Sequence, residues 1–354
     1  MKYQSIKHLT KSFMIGALSV AFISACSDPK DTSSKSTPIS SKSSGIYLDN
    51  IDHSIRPQDD FYRYVNGNWL DKTEIPEDKS TYGAFTALRE KSRSDVKAII
   101  EETSKLKNVE PGSDAQKVGD LYRSFMNTEK LNQLGKSPLV AEFKKIDALA
   151  TLDDVAGYFA ESQMIGSDAP FGFWVNNDSK NPTEYITFFT QSGLGLPDKK
   201  YYFKQDKKSE HLRQDYVAHI EKMLSLAGIA NSAQKADQIM SFETQVADLH
   251  WDRKDRRDRN KTYNKLTLEQ LSSMMPNFNW KLYFNRAGIG NQTKTIIREK
   301  SYFAAFSNLF AKTSLDTWQT YFKWTLINSA SGILSGDFEQ AHFDFYSTKL
   351  HGTP

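Results

Sequence analysis

Cysteine, proline and glycine are all scarce in this chain of 354 residues. The single cysteine, Cys26, excludes an internal disulfide, and the 11 prolines and 18 glycines fall below average usage. This shortage of turn-forming residues disfavours a sandwich or barrel and favours helices. The mean hydropathy of −0.59 excludes a protein with several membrane spans. The chain is long enough to bury a core without disulfides, as one large helical domain or as two domains.

The chain also lacks an excess of charge of one sign. The formal net charge is +3, and residues 1–25 carry three lysines and no acid, so the remainder has no net charge. Nucleic acid is therefore not an expected partner. Residues 252–261 (DRKDRRDRNK) are basic, but opposite charges stand four residues apart in them. This spacing predicts a solvated or ion-paired helix face rather than a nucleic-acid patch.

Common hydrolase motifs are missing as well. No two of the seven histidines lie four residues apart, so no His-Glu-x-x-His motif exists, and there is no Gly-x-Ser-x-Gly elbow. Glu339-x-x-His342 matches half of a di-iron motif that requires a second copy, and we expect this pair to be structural. From the residues we therefore predict no catalytic residue, no metal ligand and no cofactor in this chain.

The first residues of the chain have the pattern of an export signal. Lysines precede a short apolar run at residues 12–23, which is too short to span a bilayer comfortably. Residues 23–26 (Ile-Ser-Ala-Cys) resemble the lipobox of bacterial lipoproteins, so Cys26 is the predicted lipid attachment site. Ser27 after it favours the outer membrane, with the protein on the periplasmic side. The alternative is an ordinary secretory signal with a chance cysteine.

Three regions follow from composition and periodicity: a signal peptide at 1–25, a Ser/Lys-rich tether at 26–45, and a folded, mainly α body. Aromatic and β-branched residues flank turn-forming residues 176–182, which predicts a β-hairpin over about 171–190 with a long loop. Asp198, Ser232 and Thr267 are predicted helix starts. Apolar residues at helical spacing predict helices over 84–106, 115–125, 152–165, 209–227, 233–250, 268–274 and 315–334.

Four ordered blocks resemble the neprilysin family of zinc metallopeptidases, peptidase family M13. They are residues 59–85 (with DDFYRYVNGNWL and YGAF), 191–202 (QSGLGLPDKKYY), 256–267 (RRD and KTYNKLT) and 318–352.

These blocks also have a physical interpretation as scaffold. Residues 66–67 (Asn-Gly) predict a turn, and Gly193 and Gly195 predict sharp backbone geometry. Pro197 suits the first turn of a helix that begins at the next residue, and we expect the tyrosines at 201–202 to pack and to hydrogen-bond.

The resemblance implies a zinc metalloendopeptidase that acts on oligopeptides. In the family, zinc lies on a His-Glu-x-x-His helix of a later catalytic half, so we expect the catalytic zinc lobe to be absent from this chain. The resemblance divides the body into a segment at 46–95, which packs on the catalytic lobe, and a large helical lobe at 96–354. An arginine that holds peptide carboxylates corresponds to Arg89, while the position of a second arginine is Thr81. The alternative for Arg89 is a surface arginine paired with a nearby acid.

We therefore expect the amino-terminal part of a lipid-anchored periplasmic zinc metalloendopeptidase, as a fragment, a truncated product or half of a split enzyme. The expected partners are oligopeptides, if the chain is joined to a catalytic half, and a membrane through lipid at Cys26. Zinc is expected only in a full-length member, so the chain alone is predicted to be inactive. The alternative function is a non-catalytic helical lipoprotein that binds peptides or a protein partner.

Overall fold

A computed structural model describes residues 45–79 and 81–353 of the chain. The predicted signal peptide, the lipid site at Cys26 and nearly all of the predicted tether lie outside the described residues. The described residues form two compact units, one ending at Glu74 and the other beginning at Ile75. None of the described helices has both the length and the apolar character needed to cross a membrane.

The smaller unit is built on helix α1 (Phe61–Lys72), which follows a short 3-10 turn at Leu48–Asn50. Asp60 caps this helix, because its carboxylate accepts a hydrogen bond from the Arg63 backbone N–H at 2.8 Å. The chain before the helix is tied to it by Asn68, whose side-chain amide donates to the Ile51 carbonyl at 2.7 Å.

The turn predicted at residues 66–67 is wrong, because both residues lie inside α1. Gly67 has a different reason to be glycine. A Cβ at this position would overlap the Asp52 side chain, so the missing side chain lets the preceding segment lie directly against the helix. The Asn-Gly pair thus serves close packing rather than chain reversal.

The larger unit is mainly helical, as predicted, and all seven predicted helices are present with ends close to those predicted. Helix α2 runs without interruption through residue 95, which is the boundary that the family resemblance implies. Short 3-10 turns occur at Ser137–Leu139, Asp255–Arg257 and Ser331–Ile333, and a π-helical segment at Phe343–Lys349. The α-helices are α2 (Ala84–Lys105), α3 (Asp114–Phe125), α4 (Thr128–Leu134), α5 (Val140–Asp147), α6 (Leu152–Met164), α7 (Lys200–Phe203), α8 (Lys207–Leu226), α9 (Ser232–Leu249), α10 (Leu268–Met274), α11 (Trp280–Arg286), α12 (Lys300–Lys312), α13 (Leu315–Ala330) and α14 (Gly336–His342).

The three predicted helix starts had different outcomes. Ser232 is confirmed, since α9 begins at this residue. Thr267 is confirmed as the cap of α10, because its side chain and that of Gln270 form a capping box. The start predicted at Asp198 is wrong, since α7 begins at Lys200. Asp198 instead turns the chain before the helix, where its carboxylate accepts a hydrogen bond from the Lys200 backbone N–H at 2.8 Å.

The predicted hairpin is present as β1 (Phe171–Asp178) and β2 (Asn181–Gln191), which pair antiparallel. The long loop predicted between them is wrong, because both strands extend through the polar residues and only residues 179–180 connect them. Asp178 stabilises this tight connection, since its carboxylate accepts a hydrogen bond from the Lys180 backbone N–H at 2.9 Å.

The hairpin belongs to a four-stranded sheet with the order β1-β2-β4-β3. Strand β4 (Lys294–Ile297) pairs parallel with β2, and β3 (Asn264–Thr267) pairs antiparallel with β4. Two segments that are far apart in the chain therefore complete the sheet beside the hairpin.

Aromatic side chains fill the core between this sheet and the helices. The ring of Phe159 on α6 lies 5.2 Å from Phe171 on β1 and 5.2 Å from Trp318 on α13. Phe189 on β2 lies 5.3 Å from Trp280 on α11. Tilted and edge-to-face rings of this kind join the sheet to the helices.

Candidate functional site

A buried acid lies at the centre of the best-defined polar cluster. Helix α9 places Glu243 in the core, with 1% of its surface exposed. Four donors reach its carboxylate: the hydroxyls of Tyr202 at 2.6 Å and Tyr216 at 2.9 Å, the Gly195 backbone N–H at 3.2 Å and the Trp324 indole N–H at 3.2 Å. They come from α7, α8, α13 and the loop after β2, so this carboxylate joins four separate segments.

The electrostatic balance at Glu243 is unusual for a carboxylate. Burial raises the pKa of Glu243 to about 7, against the four hydrogen bonds, which act to lower it. Burial and the neighbouring carboxylate also raise the pKa values of Tyr202 and Tyr216. Both phenols therefore remain protonated donors at neutral pH. Because the cluster is enclosed, its chemistry is that of a structural anchor and not of a group that reaches a substrate.

The anchor fixes the loop that carries the Gly-Leu-Pro-Asp block. The Tyr202 hydroxyl accepts a hydrogen bond from the Leu196 backbone N–H at 3.1 Å, next to the bond from Gly195 to Glu243. This confirms the hydrogen-bonding role expected of the tyrosine pair. Gly193 adopts a φ of 85°, a left-handed conformation that favours glycine, and its carbonyl accepts a hydrogen bond from the Tyr321 hydroxyl at 2.9 Å.

A polar cleft of about 250 Å³ lies between this loop and residues 250–256. The Lys199 ammonium donates to the His250 carbonyl at 2.7 Å, and Arg253 pairs with Asp198 at 3.1 Å. His250 Nε2 lies 3.1 Å from the Ser192 carbonyl. Burial, together with nearby Arg256 and Lys199, lowers the pKa of His250 to about 4 despite this hydrogen bond, so the ring is neutral at pH 7 and donates from Nε2. The polar groups of the cleft therefore bond to one another and hold the loop after β2 against residues 250–256.

The basic segment at 252–261 is not a helix, which corrects the sequence-based expectation. It contains only a short 3-10 turn, and two of its four arginines pair with acids outside the segment. Arg256 bonds to buried Glu299 at 3.2 Å, and Arg253 bonds to Asp198. The ion pairs predicted four residues apart therefore do not occur, because the backbone lacks the helical geometry they need.

The residue expected to bind substrate, Arg89, is exposed on α2. Its neighbour Glu90 pairs with Lys79 at 2.7 Å and accepts a hydrogen bond from Tyr82 at 3.2 Å. Within residues 45–79 and 81–353, Arg89 itself has no ion pair, so the alternative of a surface pair with a nearby acid finds no partner there. Thr81 is exposed as well and adds no second cation.

The described residues do not fit zinc. Within 45–79 and 81–353, no group of three or more His, Cys, Asp or Glu residues is placed to hold a metal ion. His342, half of the partial di-iron motif, packs against Tyr346 with tilted rings whose centroids are 4.5 Å apart, and its ring centroid lies 6.3 Å from that of His219. This aromatic cluster packs α8 against the carboxyl-terminal helical segments.

Sequence reasoning missed the buried acids. Glu243 carries a weak signal in the sequence, since it falls among the apolar positions of α9 beside Phe242. Glu299 carries no signal in the sequence, because its burial depends on hydrogen bonds from Arg256, Thr190 and the Gln191 backbone N–H, which are all distant from it in the chain.

The described part is thus a helical domain with one small sheet and loops braced by buried acids. The model of peptidase family M13, for its amino-terminal region, matches residues 57–354, and the chain belongs to this family. Endothelin-converting enzyme-like 1 of Homo sapiens is 29% identical over 310 residues, covering 82% of this chain and 40% of that relative. Endothelin-converting enzyme 1 of Rattus norvegicus is 26% identical over 325 residues, covering 86% of this chain and 41% of that relative.

A solved relative agrees with this assignment. The zinc metalloprotease Zmp1 of Mycobacterium tuberculosis, in complex with an inhibitor, is 35% identical and has a TM-score of 0.77. The match covers 87% of this chain and 47% of that structure. The chain therefore spans about two fifths of the length of the curated relatives it matches, and less than half of this structure.

Proposed function

We propose that this chain is the amino-terminal part of a zinc metalloendopeptidase that cleaves oligopeptides. The observation that supports the proposal is the family match over residues 57–354, together with the likeness to Zmp1. The described residues do not fit zinc, so the metal would be held by a catalytic half that the family carries after this region. The chain would supply the helical lobe, and Arg89 would hold the carboxylate of bound peptides.

We further propose that residues 46–95 pack on that catalytic half. Apolar side chains in this segment support the idea, since Phe61 is 68% exposed and Phe85 is 91% exposed. Trp69 on α1 is only partly buried. Because burying one large apolar side chain contributes about 1.5–3 kcal/mol, a lobe that covered these residues would be bound firmly.

The native protein tests the enzymatic proposal. Antibody raised against residues 209–250 should capture, from the membranes of the source cells, a polypeptide or complex that cleaves a quenched fluorescent oligopeptide. Chelator should abolish the cleavage and zinc should restore it. The purified 354-residue chain with added zinc should match the buffer blank. If the captured protein does not cleave the peptide, whatever the length of its polypeptide, the result would favour the alternative of a non-catalytic peptide-binding lipoprotein.

We also propose that Cys26 anchors the protein by lipid to the outer membrane, facing the periplasm. The cysteine follows an apolar run and small residues, and it is the only one in the chain. Cys26→Ser should leave the precursor unprocessed and remove the protein from the outer-membrane fraction. A variant that still fractionates there with an unchanged mass would show that lipid at this residue is not the anchor.

A further inference from the structure

A groove of about 660 Å³ opens beside the β1–β2 hairpin and the basic loop at 256–263. Its volume is in the range of sites that hold small ligands or a few peptide residues. Its lining contains no acid and five cations, which are Lys180, Arg256, Arg257, Arg259 and Arg298.

Most of these cations have no carboxylate partner. Arg256 is neutralised by Glu299 at 3.2 Å. Lys180 lies 4.4 Å from the centre of the Tyr263 ring, and Arg298 lies 5.7 Å from the centre of the Trp174 ring. Among residues 45–79 and 81–353, neither these two cations nor Arg257 and Arg259 form an ion pair. The groove thus keeps several positive charges available to a ligand.

Asp258 and Asp178 lie near groove-lining cations in the chain, and both are engaged. Asp258 is exposed in the basic loop, where its carboxylate accepts hydrogen bonds from the Asn260 and Lys261 backbone N–H groups at 2.9 Å and 3.1 Å.

The other acid, Asp178, lies beneath the surface. Asp178 has 0% of its surface exposed and accepts hydrogen bonds from the Lys265 ammonium at 2.7 Å and the Tyr263 hydroxyl at 2.8 Å. Burial acts to raise the pKa of Asp178, but the hydrogen bonds from Lys265, the Lys180 N–H and Tyr263 outweigh it and bring the pKa to about 2. This acid stays ionised and holds the aromatic wall in place, but it does not neutralise the groove.

The walls also offer apolar and amide contacts. Trp174 and Phe188 face each other across the hairpin as a stacked pair, with ring centroids 5.4 Å apart at 10°. Asn176 and Asn177 line the same groove. Guanidinium groups bind carboxylates with two parallel hydrogen bonds, while aromatic rings and amides suit the backbone and apolar side chains of a peptide.

We propose that this groove binds an acidic segment of an oligopeptide, with aspartate or glutamate side chains on its arginines. The inference rests on the proposed action on peptides and adds a charge preference to it, at a place distinct from Arg89. A long polyanion is a poorer fit, because the chain beyond residue 25 has no net charge to attract one from a distance.

Fluorescence anisotropy on the full chain tests the proposal. A labelled hexapeptide with three glutamates is compared with the same peptide carrying glutamines. The acidic peptide should bind at least about tenfold more tightly, as expected for charged hydrogen bonds, and the difference should shrink at high salt. Equal affinity for the two peptides would overturn the proposal. So would equal displacement by inorganic phosphate, anionic vesicles or single-stranded RNA at matched charge.

Substitutions of groove arginines test whether the acidic peptide binds in the groove. Arg257→Gln with Arg259→Gln should weaken the acidic peptide about tenfold and leave the glutamine peptide unchanged. Arg257→Lys with Arg259→Lys keeps the charge but loses the paired donors of the guanidinium groups. Its affinity for the acidic peptide should therefore lie between those of the parent and the glutamine variant. Lys208→Gln with Lys281→Gln removes the same charge from exposed helix positions outside the groove and should change nothing. If this control weakens binding as much as the groove variant, the proposal is wrong.

The binding and cleavage experiments fail independently. Cleavage by the native protein without acidic-peptide binding in the groove would overturn this inference and leave the proposed function standing. Groove binding by the full chain, with no zinc-dependent cleavage by the captured native material, would overturn the enzymatic proposal instead.

Discussion

Two pairs of consecutive helices in the larger unit differ in how many of their side chains are buried. Helices α8 and α9 pack on each other, and α9 also packs on α12 and α13. It therefore buries Ile239, Phe242 and Val246. Helices α2 and α3 also pack on each other, yet α2 buries no residue, and its Phe85 is 91% exposed.

The pairs differ in the number of neighbours, not in local pattern. Apolar residues recur at helical spacing in both, and α2 and α3 approach closely enough that a Cβ on Gly119 would lie 3.3 Å from the Thr103 carbonyl. A helix pair alone covers only the seam between its members, so the outer apolar face needs a third element. Periodicity thus identifies a helix but does not reveal whether its apolar face is covered.

Hydrogen exchange should show the largest difference. We expect amides in residues 46–95 to exchange about a thousandfold faster than those in 209–250, because opening free energies run from near zero up to the global value. Mass spectrometry of the full chain after deuterium labelling measures both segments in one sample. Similar protection in the two segments would mean that residues 46–95 have another partner, within the chain or in a dimer.

A matched pair of phenylalanine variants comes next. Phe242 on α9 contacts Trp318 and Tyr321, with ring centroids 5.0 Å and 4.9 Å away. Phe242→Ala should lower the free energy of unfolding by about 3–5 kcal/mol, because it leaves a cavity. Phe85→Ala on α2 should change it by no more than about 0.5 kcal/mol. Urea unfolding followed by tryptophan fluorescence measures both, and equal losses would contradict the comparison.

The fold was predictable where the information is local. The seven predicted helices and the aromatic hairpin strands carry their own periodicity, which is why the sequence predicts them, whereas α1 and α12 were not predicted. Strands β3 and β4 are too short to show alternation, and β4 pairs with β2 from a distant part of the chain. Nothing local in a four-residue strand indicates such a partner.

The polar sites were less predictable, because each depends on partners from several elements. A glutamate within a helix is expected on the surface, and only the four donors around Glu243 explain its burial. The arginines at 252–261 suggested pairing within a helix, but Arg256 pairs with Glu299 across the fold. Family resemblance identified the segments that form these sites but not the contacts between them.

Glu243 makes the stability of the buried α8–α9 pair depend on pH. Its pKa is about 7 in the folded chain, above the ordinary value of 4.5, so the folded chain keeps a proton that the unfolded chain releases. Its contribution to stability is therefore complete below pH 4.5, is lost as the pH rises to 7, and is constant above. The loss amounts to about 3 kcal/mol.

Comparison with Glu243→Gln isolates this effect, because glutamine does not ionise. The free energy of unfolding, measured from pH 4.5 to 7.5, should fall in the parent relative to the variant. Glu221→Gln, at an exposed position of α8, serves as the control and should follow the parent. A parent-to-variant difference that stays constant with pH would show that Glu243 does not titrate in this range.

Alanine substitutions at two glycines should give the smallest differences in stability. They compare single positions, one in the loop anchored by Glu243 and one at the start of α2. A Cβ on Gly195 would overlap the Tyr216 hydroxyl, whereas nothing lies within 4 Å of a Cβ on Gly83, the residue that precedes α2. Gly195→Ala must push Tyr216 away from Glu243 and should cost about 1–3 kcal/mol. Gly83→Ala meets no steric obstacle and should cost less than about 1 kcal/mol, which is the loss expected when alanine replaces a better N-cap residue. Thermal unfolding of the two variants measures this difference.

Because Gly195→Ala displaces a donor to Glu243, it should also change the dependence of stability on pH between 4.5 and 7, and Gly83→Ala should not. A Gly195→Ala variant as stable as the parent, with the same pH profile, would show that the loop is not anchored through Tyr216 and Glu243.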